Sequence, residues 1–281
     1  MSTPTNKEFH ASYTLTDNTF AAPLKNGSIP KTIELTTGGK FVLGFLDTDA
    51  LEPGTDPLKA EPTIFKSGTY TVTAVKSPSA GLIYTFPKYG TLTIKEGSGD
   101  SWVVNYTTAG GDEYTGNAIT AKDKITGSTA NEVCRSWKPV SILVSASGGD
   151  LENAIVGKKF SADINEICQY LKENGVKIDV DEASKYALES IDFTETGRMF
   201  IIFKDFAISP FVGNFSLNES KDENLAYDFS LSWEDNPVIP VKGEGSIHVS
   251  DGQLTLHTES DVTIQDKTYH IGASILCNEI K

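Results

Sequence analysis

Residues Ser190–Asp205 read SIDFTETGRMFIIFKD, and residues Thr32–Asp47 read TIELTTGGKFVLGFLD. Both stretches have isoleucine, an acidic residue, an apolar residue, threonine, two variable positions, glycine and a basic residue. An apolar run that ends in F-x-D follows in each. Apolar runs on either side of a glycine-containing turn are typical of a β-hairpin. The repeated stretch therefore predicts the same hairpin in two parts of the chain.

Further blocks follow both hairpins in the same order. They pair Gly68–Val72 with Gly213–Leu217, Leu82–Phe86 with Leu225–Phe229, Gly90–Ile94 with Gly243–Ile247, and Tyr114–Ile119 with Tyr269–Ile275. Only the loop lengths between the blocks differ, so the sequence predicts a tandem duplication. We expect a mainly β protein of two antiparallel β-meander domains, each a barrel or half-barrel.

The length of 281 residues suits two domains. We expect a disordered tether over residues 1–8, the first domain over 9–125 and the second over 132–281. Residues 126–131 are small and polar, which is typical of a linker.

One helix is predicted over residues 163–174, with Asp163 as its cap and Gly175 as its end. Its apolar residues recur at helical spacing, and we expect them to be buried. They are Ile164, Ile167, Cys168 and Leu171. The hairpin strands 41–46 and 199–203 are apolar on both faces. We expect this helix to cover the outer side of the strand at 199–203.

The charge of the chain limits its partners. With 24 basic and 38 acidic residues, the net charge is -14, which disfavours nucleic acid. No stretch is apolar enough to span a membrane as a helix, and the N-terminus has no apolar signal core. The chain is therefore either cytosolic or the mature form of an exported protein. We expect a monomer.

The turn Asp251-Gly252 favours a tight hairpin that places Ser250 opposite Gln253. This register divides the flanking residues into two faces. The predicted core face holds Ile247, Val249, Leu254 and Leu256, and the predicted polar face holds Ser246, His248, Ser250, Gln253, Thr255 and His257.

The reactive residue types form no recognisable catalytic or metal-binding pattern. His248 and His257 share a face, but neither His270 nor His10 lies at a spacing that supplies a third ligand. Phosphate-binding loops, nucleophile elbows and H-E-x-x-H are absent from the sequence. We predict no metal, no cofactor and no catalytic residue. The sequence has three cysteines. This odd number leaves open one disulfide bridge, between Cys134 and Cys277.

Four aromatic residues on or beside predicted strands are candidates for ligand binding, namely Trp102, Tyr84, Tyr227 and Trp233. Such rings can line a lumen for an apolar molecule or stack on sugars. The alternative is that they form ordinary sheet core.

The stretch Cys134–Trp137 (CRSW), the following helix and the pattern I-D-F-T-x-x-G-R are similar to those of an uncharacterised family of two-domain, β-rich secreted lipoproteins of Bacteroidetes-type gut bacteria. The second half also resembles lipocalins, with Arg135 in place of the glycine of their G-x-W. The resemblance implies lipocalin-like domains and no known enzymatic activity. It also implies an outer-membrane lipoprotein, or a periplasmic or cell-surface protein, with its lipid on a residue outside this sequence.

From these patterns we expect a non-catalytic, envelope-associated binding protein for a small apolar molecule or a glycan. A hydrolase acting on glycans or lipids is one alternative, with carboxylates from the loop at residues 47–56. A structural or adhesive surface module is another. A closed apolar lumen would favour ligand binding inside the barrel, and a filled core would favour the structural alternative.

Overall fold

The computed structural model describes residues 12–17, 28–49, 51–56, 60–74, 82–96, 102–118, 125–146, 156–175, 179–218, 224–231, 239–264 and 267–281. The chain forms two compact units, residues 1–124 and residues 125–281. The predicted tether at residues 1–8 lies outside the described residues. Among the described residues, no helix has both the length and the apolar character that crossing a membrane requires.

The first unit is one antiparallel sheet. Its strands are β1 Ser12–Asp17, β2 Ser28–Leu35, β3 Lys40–Asp47, β4 Ile64–Thr69, β5 Thr71–Ala74, β6 Leu82–Phe86, β7 Gly90–Glu96, β8 Trp102–Thr108 and β9 Glu113–Ala118. They are ordered β4-β3-β2-β1-β9-β8-β7-β6-β5. The two end strands, β4 and β5, are separated only by Tyr70. The sheet therefore curls until its ends meet in one kinked segment.

The second unit repeats this plan. Its strands are β10 Ser136–Ala146, β11 Lys159–Ser161, β12 Leu188–Phe193, β13 Arg198–Phe203, β14 Phe211–Asn218, β15 Asn224–Leu231, β16 Ile239–Ser250, β17 Gln253–Ile264 and β18 Lys267–Glu279. Strand β10 pairs with both β12 and β18, which closes a ring of antiparallel strands. The short strand β11 pairs with a later part of β10. The expected mainly β fold of two duplicated antiparallel meanders is confirmed.

The repeated hairpin has the same register in both units. Leu35 lies opposite Phe41, and at the equivalent positions Phe193 lies opposite Met199. Each hairpin also has a register shift four positions further from the turn, between Pro30 and Thr32 in the first unit and between Leu188 and Ser190 in the second. A bulge bends a strand and increases its twist, which helps a sheet to curl. The matching bulges indicate that both copies curl by the same device.

The turn glycine of this hairpin fixes the next strand. Gly39 and Gly197 both have positive φ, at 74° and 78°, a conformation that glycine adopts without strain. The carbonyl of Gly39 accepts a hydrogen bond of 3.1 Å from the N–H of Tyr70, and that of Gly197 accepts one of 2.8 Å from Phe215. Each turn thus fixes the strand that follows the hairpin, which is the β4–β5 segment in the first unit and β14 in the second.

The side chains that face the inside of each curled sheet form its hydrophobic core. In the first unit, aromatic rings meet across it, with ring centroids of Phe41 and Phe86 4.6 Å apart and of Tyr70 and Tyr84 5.3 Å apart. In the second unit, Trp137 is fully buried and its indole N–H donates a 2.8 Å hydrogen bond to the Val133 carbonyl. Both interiors are therefore filled by side chains at the described positions.

Three helices lie in the described part of the second unit. They are α1 Ser128–Val133, α2 Ile164–Glu173 and α3 Val180–Ser184. Helix α1 occupies most of the stretch at 126–131 that the composition predicted as a linker, and Ala130 is buried. The division between the two units falls between residues 124 and 125, and a linker at 126–131 stays a prediction.

Helix α2 confirms the predicted element and its cap, since the Asp163 carboxylate accepts a hydrogen bond from the Asn165 N–H. Its expected packing was wrong in two respects. Only Cys168 of the four apolar residues is fully buried, the others being half-buried. Its main contacts are with α3 and β11, where Tyr170 meets Phe160, and not with β13.

Two glycines with positive φ allow a matched test of the first unit. A Cβ at Gly39 would meet nothing within 4 Å, whereas one at Gly90, with φ of 128°, would lie 2.0 Å from the Thr107 carbonyl oxygen. We expect Gly39→Ala to lower the free energy of unfolding by about 1 kcal/mol. Gly90→Ala should lower it by more than about 3 kcal/mol, because β7 must separate from β8. Urea unfolding measures both, and equal losses would contradict the described register of β7 and β8.

Candidate functional site

The outer side of the second sheet carries a continuous polar surface across β11, β10, β18, β17 and β16. We call this surface the outer face and define it by three rows of side chains. Residues opposite each other share a face, and Leu254, Leu256, Ile247 and Cys277 face the core. The rows are Lys159–Leu143–Ser274–His257–Ser246, Ser161–Ser141–Leu276–Thr255–His248, and Lys138–Asn278–Gln253–Ser250.

The register that Asp251-Gly252 predicted is confirmed, with Ser250 opposite Gln253 and His248 opposite Thr255. The six predicted polar-face residues all lie on the outer face. His248, Ser250, Gln253 and His257 are exposed, and Ser246 and Thr255 are half-buried. The sequence therefore identified two of the five strands of this surface.

The chemistry of the outer face is that of hydroxyl, amide, imidazole and ammonium groups. Leu143 is its most exposed apolar residue, at 37%. The amide of Gln253 donates to Asn278 at 3.0 Å, and Nδ1 of His257 lies 2.6 Å from the Ser274 hydroxyl. The three rows contain no carboxylate, although the second unit holds most of the 38 acidic residues of the chain.

The pair of His257 and Ser274 was not predicted, because the register of β17 with β18 has no strong turn signal. A serine hydroxyl on an imidazole is the first part of a nucleophilic site. Here β17 and β18 are each paired on both sides, so their backbone N–H groups are used within the sheet. Among the described residues, no carboxylate contacts this imidazole. Acyl transfer also requires an orienting acid and oxyanion donors, and neither is found among the described contacts of this pair.

Of the four aromatic candidates, Tyr84 has a described side chain, and it lies in the first unit and not on this surface. Tyr84 is a core residue, 2% exposed, and packs against Tyr70. The Cα of Tyr84 lies opposite Val72, inside the first sheet. Trp102 begins β8 and Tyr227 lies within β15, but their side chains lie outside the described residues, as does all of Trp233. The ring of Tyr84 therefore packs in the core at this position, and its part in ligand binding stays a prediction.

The acidic loop after β3 is tied to its own backbone and to a buried lysine. The N–H of Asp49 donates to the Asp47 carboxylate at 3.0 Å. Lys31 is buried, and this burial lowers the pKa of its ammonium group, while Glu61 and Asp56 act in the opposite direction. Asp56 and Glu61 thus compensate a buried cation, which is a structural role.

A second polar cluster is buried beside the hairpin of the second unit. The hydroxyls of Ser136 and Ser190 both donate to the carboxylate of Asp192, and all three residues are fully buried. Glu34 and Thr32 hold the equivalent positions of Asp192 and Ser190 in the first unit, and they are also buried. A cluster that is out of contact with water and recurs in both copies serves the fold.

The three cysteines are free thiols. A bridge between Cys134 and Cys277, which the sequence left open, is not formed, although both side chains belong to one core cluster. Burial raises the pKa of each of these two thiols to about 12, so neither is a thiolate near neutral pH. Among the described residues, no group of three or more His, Cys, Asp or Glu side chains is arranged to hold a metal ion.

Fold and surface together define a class, a protein of two antiparallel β-meander units with an exposed polar sheet face. No family model matches the chain. No curated protein matches it either. Membership of the lipoprotein family therefore stays a prediction.

Two similar solved structures are a double mutant and a single mutant of the vaccine antigen Transferrin Binding Protein B from Haemophilus parasuis Hp5. Each is 9% identical, with a TM-score of 0.26, over 88% of this chain and 53% of the other. This chain thus spans about half the length of these proteins. A likeness this weak supports no functional conclusion.

Buried tyrosines predict how stability depends on alkaline pH. Burial raises the pKa of Tyr70 to about 12 and that of Tyr106 further above its usual value. The unfolded chain ionises near pH 10, so this contribution to stability is complete below about pH 9 and is lost as pH rises from about 10 towards 12. We expect the urea midpoint to fall over this range. In the variant Tyr106→Phe the urea midpoint should fall less over the same pH range, because one buried phenol has been removed.

Absorbance of tyrosinate near 295 nm provides the second measurement. The buried tyrosines should ionise only as the protein unfolds, later than the exposed ones. If all 10 tyrosines titrated together near pH 10 in a protein that kept its circular dichroism spectrum, the described burial would be contradicted.

Proposed function

We propose that this protein is a non-catalytic binding protein that recognises a glycan through the outer face of its second unit. The observation that carries the proposal is the three-row surface, in which hydrogen-bonding side chains from five strands stand side by side. Neighbouring strands are about 4.8 Å apart, so the surface is roughly 19 Å wide. A ligand on it must be extended and rich in hydrogen-bonding groups.

The filled interiors count against a small apolar ligand. In the first unit, the rings of Phe86 and Tyr106 and those of Tyr106 and Tyr114 continue the packed series across the core. In the second, Phe193 and Phe215 meet edge to face, with ring centroids 5.0 Å apart. An apolar ligand inside either sheet would have to displace these contacts, each worth about 0.5–1.5 kcal/mol beyond area burial.

Between a glycan and a protein partner, the side chains favour the glycan. Protein interfaces derive most of their binding energy from buried aromatic and arginine residues in an apolar centre. The described outer face has neither, and the apolar residue at its centre, half-buried Leu276, is surrounded by Ser274, Asn278 and Thr255. Hydroxyls, amides and imidazoles both donate and accept hydrogen bonds, which matches the many hydroxyl groups of a sugar chain.

The proposal also assigns the protein to the outside of the cytoplasm. Resemblance to secreted lipoproteins supports this location, with a lipid anchor upstream of the sequence and the protein at the cell surface or in the periplasm. Glycans of an envelope or of the surroundings would then be accessible to the outer face. An adhesive role, which the sequence left open, is one way in which such binding would be used.

A substitution at the centre of the outer face tests the proposal. Ser274→Tyr places a large ring between Leu143 and His257 and should weaken glycan binding at least about tenfold. Tyrosine is favoured in strands, so the fold should persist. Ser216→Tyr, on the exposed side of β14 and away from the outer face, is the matched control.

Retardation in gels containing soluble polysaccharides of varied charge and linkage measures the binding of both variants. Their melting temperatures report on folding. Failure of the whole panel to retard the wild-type protein would refute the proposed function. Equal retardation of wild type and Ser274→Tyr would move the glycan site away from the outer face.

A further inference from the structure

We propose that the glycan bound by the outer face is an anionic polysaccharide whose sugars carry carboxylates, and that Lys138 and Lys159 select it. This inference rests on the proposed function and adds the chemical class of the ligand. It begins from the charges of the three rows. Both lysines are exposed, and no carboxylate lies in any row.

The two ammonium groups are available to a ligand. Within the described part of the chain, neither Lys138 nor Lys159 forms an ion pair. The neighbouring Lys158 differs, since its ammonium lies over the ring of Tyr170, 6.0 Å from the ring centroid. The protein has a net charge of -14, yet the three rows hold two unpaired lysines and no carboxylate of their own, the Glu166 carboxylate being bonded to Ser161 at their edge. These lysines attract a negatively charged ligand, which the rest of the acidic protein repels.

The spacing of the cations suits a polymer better than a small anion. Lys159 begins the first row on β11, and Lys138 lies in the third row on the neighbouring strand. Two rows along a strand correspond to roughly 13 Å, since each residue advances about 3.3 Å. That distance separates the backbone positions, so one carboxylate would contact both ammonium groups only if both lysine side chains bent towards it. A chain with a carboxylate on each sugar presents charges to both at once.

The remaining side chains hold the sugar hydroxyls between these charges. Leu276, Thr255 and Ser141 form the middle row, and His257 and Ser274 present a bonded imidazole and hydroxyl beside it. The C–H groups of a sugar ring can rest on Leu276 and Leu143 while the hydroxyls of the same sugar reach the polar groups. Two kinds of interaction then contribute to the affinity. The ion pairs weaken as the salt concentration rises, whereas the hydrogen bonds do not.

Carboxylates at the margins confine an anionic chain to these rows. Asp251 lies in the turn beyond the third row, and Glu166 accepts a hydrogen bond from Ser161 at the β11 side. Beyond the first row, Glu259 is exposed, and Asp261 is paired with His270 at 2.8 Å. An anionic polymer that left the central rows would approach like charges, so the boundary contributes to selectivity.

The test compares two forms of one polymer. Polygalacturonate carries a carboxylate on each sugar, and its fully methyl-esterified form has the same backbone without the charges. Wild-type protein should bind polygalacturonate at least about tenfold more tightly in titration calorimetry. Raising the salt concentration from 0.1 to 1 M shortens the screening length from about 10 Å to about 3 Å and should remove most of this preference.

The double variant Lys138→Gln/Lys159→Gln should weaken polygalacturonate binding about tenfold, which removes the preference, and leave binding of the ester unchanged, because two exposed charge pairs are lost. Lys172→Gln/Lys204→Gln removes the same charge from exposed positions off the outer face and is the control. Melting temperatures establish that both double variants fold.

The possible outcomes separate this inference from the proposed function. Preference for polygalacturonate that the first double variant loses and the control keeps supports the inference. Equal binding of both polymers, or equal effects of both double variants, overturns the anionic selection and leaves glycan binding in place. If neither polymer and no other polysaccharide binds, the proposed function fails and this inference fails with it.

Discussion

The fold of each unit depends on one backbone hydrogen bond, from Tyr70 N–H to the Gly39 carbonyl in the first and from Phe215 N–H to the Gly197 carbonyl in the second. In the first unit this bond lies where β4 passes into β5, the two ends of the sheet, whereas in the second it holds β14 and the ring is closed by β10, which pairs with β12 and β18. In both units this bond holds the next strand at the point where it leaves the hairpin. The glycine is required because a positive φ turns its carbonyl towards that strand.

Closure determines where binding can occur. A ring of this size leaves an interior that side chains can fill, and here aromatic rings and Trp137 fill it at the described positions. The polar side of the strands must then face outward. On the hairpin strands β12 and β13 most residues are buried, whereas the outer side of β16, β17 and β18 is exposed. The described outer side of these long strands is therefore the surface on which the proposed function rests.

The outer face contains some residues whose positions the sequence patterns predict and others whose positions they do not. The turn Asp251-Gly252 fixes the pairing of its own two strands, so the positions of His248 and His257 followed from local alternation alone. Ser274 and Lys159 could not be placed in this way. Their positions depend on the pairing of β18 with β17 and of β11 with β10, and a helical segment separates β11 from the strand that follows it. Alternation assigns the side chain of Tyr84 to a face of its strand but does not show that this face is packed core, as the structure does.

The sequence by itself determined the duplication, the strand order, the repeated hairpin and the helix capped by Asp163, because each is encoded by periodicity and turn residues within a short stretch. Only the tertiary structure decided that the stretch at 126–131 is mostly helix and that helix α2 packs on β11. It also decided that lysines and hydroxyls from five strands form one surface. These features depend on contacts between residues far apart in the chain, and such contacts are chosen by the packing of the whole unit rather than by local preference.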